Sequence, residues 1–101
     1  SSETIQANPQ QKLRDELKAL YEKRSMAKLD IDRMASEGVE DLKLRLVHTR
    51  SELGRQDHVI GVDDIIPAAE EQKRRESISS EKRVLADLIV VLEKLISELE
   101  K

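Results

Sequence analysis

Cysteine, tryptophan and phenylalanine are absent from this 101-residue chain, and tyrosine occurs once, as Tyr21. Without cysteine there is no disulfide framework and no thiolate metal site, a composition that suits a reducing compartment. With Tyr21 the sole aromatic, none is placed beside the basic run Lys73-Arg74-Arg75 to stack a nucleobase. Glycine is confined to Gly38, Gly54 and Gly61, and their spacing builds no phosphate-cradling loop. No apolar run approaches the roughly 18 residues of a membrane-spanning helix, and no signal peptide is visible. The start at Ser1–Ser2 reads as an excised piece of a larger protein.

What is present is charge and aliphatic carbon in nearly equal measure. Charged residues make up 39% and hydrophobic residues 38%, the balance of long amphipathic helices or coiled coil. The net charge of −3 falls wholly in the last segment. Residues 1–37 hold seven basic and seven acidic side chains, residues 38–62 four of each, and residues 63–101 seven basic and ten acidic. Such a distribution offers no surface for nucleic acid or an anionic membrane.

The strongest pattern lies near the end. Val84, Leu85, Leu88, Ile89, Val91, Leu92, Leu95, Ile96 and Leu99 fall within an arc of roughly 160° at helical spacing, wider than the stripe of a helix that touches one neighbour. This stretch therefore packs between at least two other helices. Upstream, Asn8-Pro9 is a helix start, with Asn8 as cap, Pro9 at the first helical position and Gln11 where a capping-box partner sits. Leu13, Leu17, Leu20, Arg24, Ala27, Ile31 and Met34 then follow a heptad seam with one charged interruption at Arg24. Ser36-Glu37-Gly38 breaks it, with Gly38 suited to a left-handed helix end. A second seam runs through Val39, Leu42, Leu46, Thr49, Leu53, Gln56 and Ile60.

The expected fold is all-α: an antiparallel three-helix bundle, coiled-coil-like, with a long C-terminal helix. Residues 1–8 form a flexible lead-in, and residues 9–101 a single helical domain with helices over about 9–36, 39–57 and 66–100. Between the last two, Asp57 to Pro67 reads as a loop whose aliphatic residues cover one end of the bundle. Asp64 or Ile66 caps the third helix, which starts at Pro67. Its first half is polar, carries the favourably ordered pairs Glu70–Arg74 and Glu71–Arg75, and admits a fray or kink near Ser77–Ser80. In an up–down–up stack, the apolar half of the last helix meets Ile31, Met34, Val39, Leu42, Leu46 and Val47, while Leu13, Leu17, Leu20 and Leu53 pack the far end.

Catalytic material is scarce. His48 and His58 have no carboxylate or ligand pattern beside them and read as surface residues, and Asp63-Asp64 reads as a helix cap rather than a metal site. Lys73-Arg74-Arg75 is offset by Glu70, Glu71 and Glu76 and reads as a solvated helix face. One motif has more specificity: Arg74-Arg75-Glu76-Ser77-Ile78 resembles the substrate consensus of basophilic kinases of the protein kinase A type, which makes Ser77 a candidate phosphosite. Phosphate there would add close to two negative charges to the polar half of the last helix.

Leu29, Leu44 and Val90 sit off their own seams. With Val84, Leu88, Val91, Leu92, Leu95 and Leu99, Leu44 and Val90 are the candidate interface residues. The expected function is a non-enzymatic helical protein–protein interaction module, an assembly or docking domain of a larger intracellular protein in cytoplasm or nucleus. Its partner is another protein or a second copy of the chain, met by helix packing, with no cofactor, metal, membrane, nucleic acid or small-molecule substrate. In outline the layout is similar to tubulin-binding cofactor A and to the helical hairpins of Rho-effector HR1 domains. That likeness is architectural and transfers no residue role. It implies the alternative of a regulatory or chaperone-like domain that grips a small GTPase or a cytoskeletal subunit.

Overall fold

A computed structural model describes residues 8–59 and 68–101, with the backbone alone for 57–59 and 68. The described chain is an all-α bundle of four helices: α1 (Pro9–Lys23), α2 (Lys28–Met34), α3 (Val39–Val59) and α4 (Ala68–Leu99). The lead-in, the 60–67 connection with its aliphatic residues, the Asp63-Asp64 pair and the cap and start expected at Asp64–Pro67 lie outside the described residues.

Helix α1 begins as its sequence dictates. Asn8 accepts a hydrogen bond from the Gln11 backbone N–H at 3.1 Å, and Pro9 occupies the first turn, where its missing N–H costs nothing. The Gln11 side chain does not complete a capping box; it donates forward to Asp15 at 2.9 Å.

The expected continuous helix over 9–36 is divided. Helix α1 stops at Lys23, and Ser25 adopts φ 60°, the left-handed region that costs a non-glycine residue roughly 1–2 kcal/mol. The reason is Arg24. Heptad spacing puts it on the buried seam, where a guanidinium is tolerated only with anionic partners. The turn lets the side chain leave the seam and reach two: Glu52 of α3, on which it forks, and Glu81 of α4 at 3.0 Å. Gly38 does not supply a left-handed helix end, since no described glycine has positive φ. Its carbonyl instead accepts the Leu42 N–H in the first turn of α3.

Because the chain turns at Arg24, α2 folds back along α1. Arg14 donates to the carbonyls of Ala35 at 2.8 Å and Glu37 at 3.0 Å, tying the end of α2 to the middle of α1. The Ala35 carbonyl is at the C-cap of α2, one that a helix end leaves without an intrahelical partner, and the Glu37 carbonyl belongs to the connection that leads into α3. Helix α3 therefore starts beside Arg14, reaches Arg24 by Glu52, and runs parallel to α1. Helix α4 returns antiparallel to both. Lys43 meets Glu100 at 2.7 Å and Arg50 meets Glu93 on the α3 side, while Leu13 and Lys94 share one groove and Leu20 and Val91 another on the α1 side. The order is thus up, a short return, up and down, replacing the expected up–down–up.

This topology corrects the expected distribution of the core. Leu17 and Leu20 do not pack a separate end; they join Tyr21, Ile31, Met34, Leu42 and Leu46 around Leu85, Leu88, Leu92, Leu95 and Ile96, with Leu13 and Leu53 packed against that cluster. The apolar arc of α4 is clasped by α1 and α3, as its width requires. Val47 was expected in the core but is 55% exposed, and α3 continues through Val59 where a loop was expected from Asp57. Helix α4 runs unbroken past Ser77–Ser80, and the molecule measures 60 × 26 × 22 Å.

The Arg24 cluster makes a testable demand. Replacing Arg24 with Gln strands Glu52 and Glu81 near each other, partly buried, and should lower stability by about 1–3 kcal/mol in urea unfolding. Adding Glu52→Gln and Glu81→Gln should recover most of that loss. A neutral Arg24→Gln would remove the clamp from the account of the fold.

Candidate docking surface

Folding consumes most of the aliphatic residues that could meet a partner. Leu88, Leu92 and Leu95 are fully buried between α1 and α3, so they hold the bundle together and face no partner while it is folded. Val84, Val91 and Leu99 are half-buried against that core. What remains outside is Leu29 (84% exposed), Leu44 (56%), Val47 and Val90 (47%).

These four do not form one patch. Leu29 stands alone on α2. Leu44 and Val47 lie on the outer side of α3, beyond the line where Lys43 and Arg50 face α4. Val90 is different, because it is set in a groove. Ala19 and Leu20 of α1 line one wall and Val90 and Val91 of α4 the other, with Glu16, Lys23 and Asp87 at the rim; the recess measures about 340 Å³. It continues along the same two helices past Lys12, Leu13, Lys94, Ser97 and Glu98. Helix ridges and grooves of this kind take a further helix.

The two flanks of α4 differ electrostatically. The α3 flank is laced by Lys43–Glu100 and Arg50–Glu93, and the bond from Glu100 holds the Lys43 pKa above its ordinary value. Glu52 of α3 and Glu81 of α4 both hold Arg24 at the end of α1; burial opposes its cation, but their hydrogen bonds and charge hold its pKa up. On the α1 flank, Glu16, Lys23, Asp87 and Lys94 form no ion pair among the described residues. Among the described residues the α3 flank carries paired charges along α4, and the groove toward α1 carries unpaired ones beyond the Arg24–Glu81 contact.

Other candidate residues are placed as follows. Ser77 is exposed on α4, and both arginines of its motif reach Glu71: Arg74 at 3.6 Å and Arg75 at 3.1 Å. Among the pairs expected in this half, Glu71–Arg75 is therefore formed. His48 is exposed, and the side chain of His58 lies outside the described residues. Among the described residues no cluster of histidine and carboxylate could hold a metal ion, and no helix is long and apolar enough to cross a membrane. Periodicity did not single out Ala19 or Leu20 as groove residues, because that role arises only when α1 is laid against α4.

Beside the Arg24 turn, Tyr21 is buried and its hydroxyl has no hydrogen-bond partner among the described residues. Burial pushes its pKa up to about 12, opposed by Arg45, which forks onto Glu37 at 2.7 and 3.2 Å.

No family model, curated protein or solved structure matches the chain.

Tyr21 gives a pH prediction whose sign is fixed. Its neutral form is favoured in the folded chain, so the contribution to stability is complete below the ordinary tyrosine pKa near 10. It is lost as pH rises from there through about 12. As the sole tyrosine in a chain without tryptophan, its tyrosinate absorbance is read without overlap. That titration should lie above the free-tyrosine value and coincide with loss of helicity, and Tyr21→Phe should move alkaline unfolding to higher pH. Titration near pH 10 in a fully helical chain would show the ring to be accessible.

Proposed function

We propose that this chain is a non-enzymatic helical protein–protein interaction module, an assembly or docking domain of a larger intracellular protein, and that its docking surface is the α1/α4 groove. One observation carries the reading. Val90 lies in the most aliphatic stretch of the chain and remains 47% exposed, set between Ala19, Leu20 and Val91 with unpaired charges along the rim. An apolar floor bordered by charge is the anatomy of a helix-docking site, where the floor supplies binding energy and the rim sets register. The lack of cysteine suits a reducing compartment and supports the intracellular assignment.

The reading treats Leu88, Leu92 and Leu95 as framework and gives the anchoring role to Val90 and Val91, with Ala19 and Leu20 opposite. Leu44 and Val47 are ordinary exposed aliphatics by comparison, since neither lines a groove in the folded chain.

A photoreactive residue placed at position 90 should yield a covalent adduct with a protein partner under illumination in cell extract. The same residue at position 40, exposed on the outer side of α3, should yield none. Val90→Lys should abolish competition for that adduct while changing stability by no more than about 0.5 kcal/mol, as expected of a surface site. Equal labelling from both positions, or none from position 90, would show that the groove is not a docking surface.

A further inference from the structure

We infer that the partner fitting the α1/α4 groove is a second copy of this chain, laid across it antiparallel about a twofold axis through the apolar centre. The inference rests on the docking reading above and adds the identity of the occupant. Along the outer strip of α4 the order is Arg83, Asp87, Val90–Val91, Lys94, Glu98. Turned end for end about the Val90–Val91 bond, this strip matches itself with every sign reversed. Arg83 falls opposite the partner's Glu98, and Asp87 opposite the partner's Lys94. Helix α1 carries its own strip of the same kind, Glu16, Ala19–Leu20, Lys23. Turned about the Ala19–Leu20 bond, Glu16 falls opposite the partner's Lys23.

The fold brings these two centres together. Ala19 and Leu20 lie across the groove from Val90 and Val91. A single twofold axis, running across both helices at that level, therefore satisfies α1 and α4 at once. An isologous interface requires this self-complementarity. Among the described residues Glu16, Lys23, Arg83, Asp87 and Lys94 have no ion-pair partner within the chain, and Glu98 pairs only with Lys101, at 2.6 Å on the surface. The twofold pairs each of these six charges, while Lys12 of the same groove falls opposite the partner's Ala27. The other groove-to-groove arrangement, with its axis parallel to the helices, sets Lys23 against the partner's Asp87 and Glu16 against the partner's Lys94. It also sets Lys12 against the partner's Glu98 and leaves Arg83 without a counterpart, and the charge reversals below separate the two axes.

The area sets the strength. Helix α1 has 15 residues and spans about 22 Å, and two helices side by side present a face about 20 Å wide. Each copy then contributes on the order of 450 Å², below the roughly 800 Å² per partner of stable complexes. The dimer is accordingly weak and concentration-dependent, and its exposed charge pairs make it weaker in high salt.

Sedimentation equilibrium of this chain from about 5 to about 500 µM, a range chosen for a micromolar complex, tests the inference when combined with charge reversal. The wild-type chain should pass from monomer to dimer. Asp87→Lys and Lys94→Asp should each raise Kd by about tenfold or more, because each sets like charges opposite one another twice per dimer. The double variant should return to within about threefold of wild type. Both side chains are exposed, and unchanged helicity by circular dichroism confirms that each variant folds. A wild-type chain that stays monomeric throughout overturns the inference, as does a double variant weaker than either single one, the result expected of the parallel-axis arrangement. The photoreactive residue at position 90 separates this failure from failure of the docking reading. An adduct twice the chain mass supports the dimer. An adduct with a different protein, from a chain that sediments as monomer, overturns the dimer and leaves the docking surface standing. No adduct of any kind overturns both.

Discussion

A guanidinium on a hydrophobic seam governs this structure. Arg24 continues the heptad spacing of Leu13, Leu17 and Leu20, yet its charge cannot enter the core that those leucines build. The chain meets the conflict by ending α1, accepting a left-handed Ser25, and directing the guanidinium to Glu52 and Glu81. Three helices are fastened at that point. With the turn in place, α2 returns along α1, Arg14 holds the carbonyls of Ala35 and Glu37, and α3 begins low enough to run beside α1. In this arrangement α1 and α3 both pack against the aliphatic arc of α4.

The same geometry decides what α4 shows to solvent. A helix clasped on two sides keeps a third side free, and here the free side falls between Val91 and Val90. The chain crosses the α3 flank with ion pairs between long side chains, while between α1 and α4 the described residues pair only Arg24 with Glu81, at the end of α1. Exposed pairs of this kind add little to stability, so their placement on one flank does not compensate for a thinner core there. It separates a side committed to the fold from a side whose charges are still open to a partner.

Much of the bundle was legible from residue order, and most of the exceptions share a cause. The apolar arc of α4, the Asn8-Pro9 start, and the exposure of Leu29, Leu44 and Val90 all follow from local spacing, which a helix converts directly into direction. The division of the first helix did not follow, because the 4-3-4-3 rhythm continues undisturbed from Leu20 through Met34. Periodicity records where side chains would point in a helix; it does not record that one of them needs anions found 28 and 57 positions later. The available signal was chemical: a charged seam residue followed by a serine. Val47 is exposed because it lies off the Leu42–Leu46–Thr49 face of α3, whereas the placing of Leu13, Leu17 and Leu20 at the far end follows from that one missed turn. The groove was out of reach for the same reason, since Ala19 and Leu20 acquire Val90 and Val91 as neighbours only when α1 runs antiparallel to α4.

The polar half of α4 takes its meaning from where the proposed twofold axis falls. The axis crosses near Val90–Val91, well past the middle of a helix that begins at Ala68, so the two α4 helices overlap unequally along their length. Ser80 comes opposite the partner's Lys101, and the residues before it lie beyond the overlap of the two α4 helices, which end at Leu99. The Glu71 bonds to Arg74 and Arg75 then hold a helical stretch that has no buried side chain of its own. A run of polar residues with in-helix ion pairs suits a helix that must stay ordered without a core beneath it. In the proposed dimer two such stretches leave from opposite ends, which places Ser77 and the basic run 73–75 beyond the overlap of the two α4 helices. Charge added at Ser77 would therefore act on what those projecting helices meet, while the seam between the copies stayed as it was.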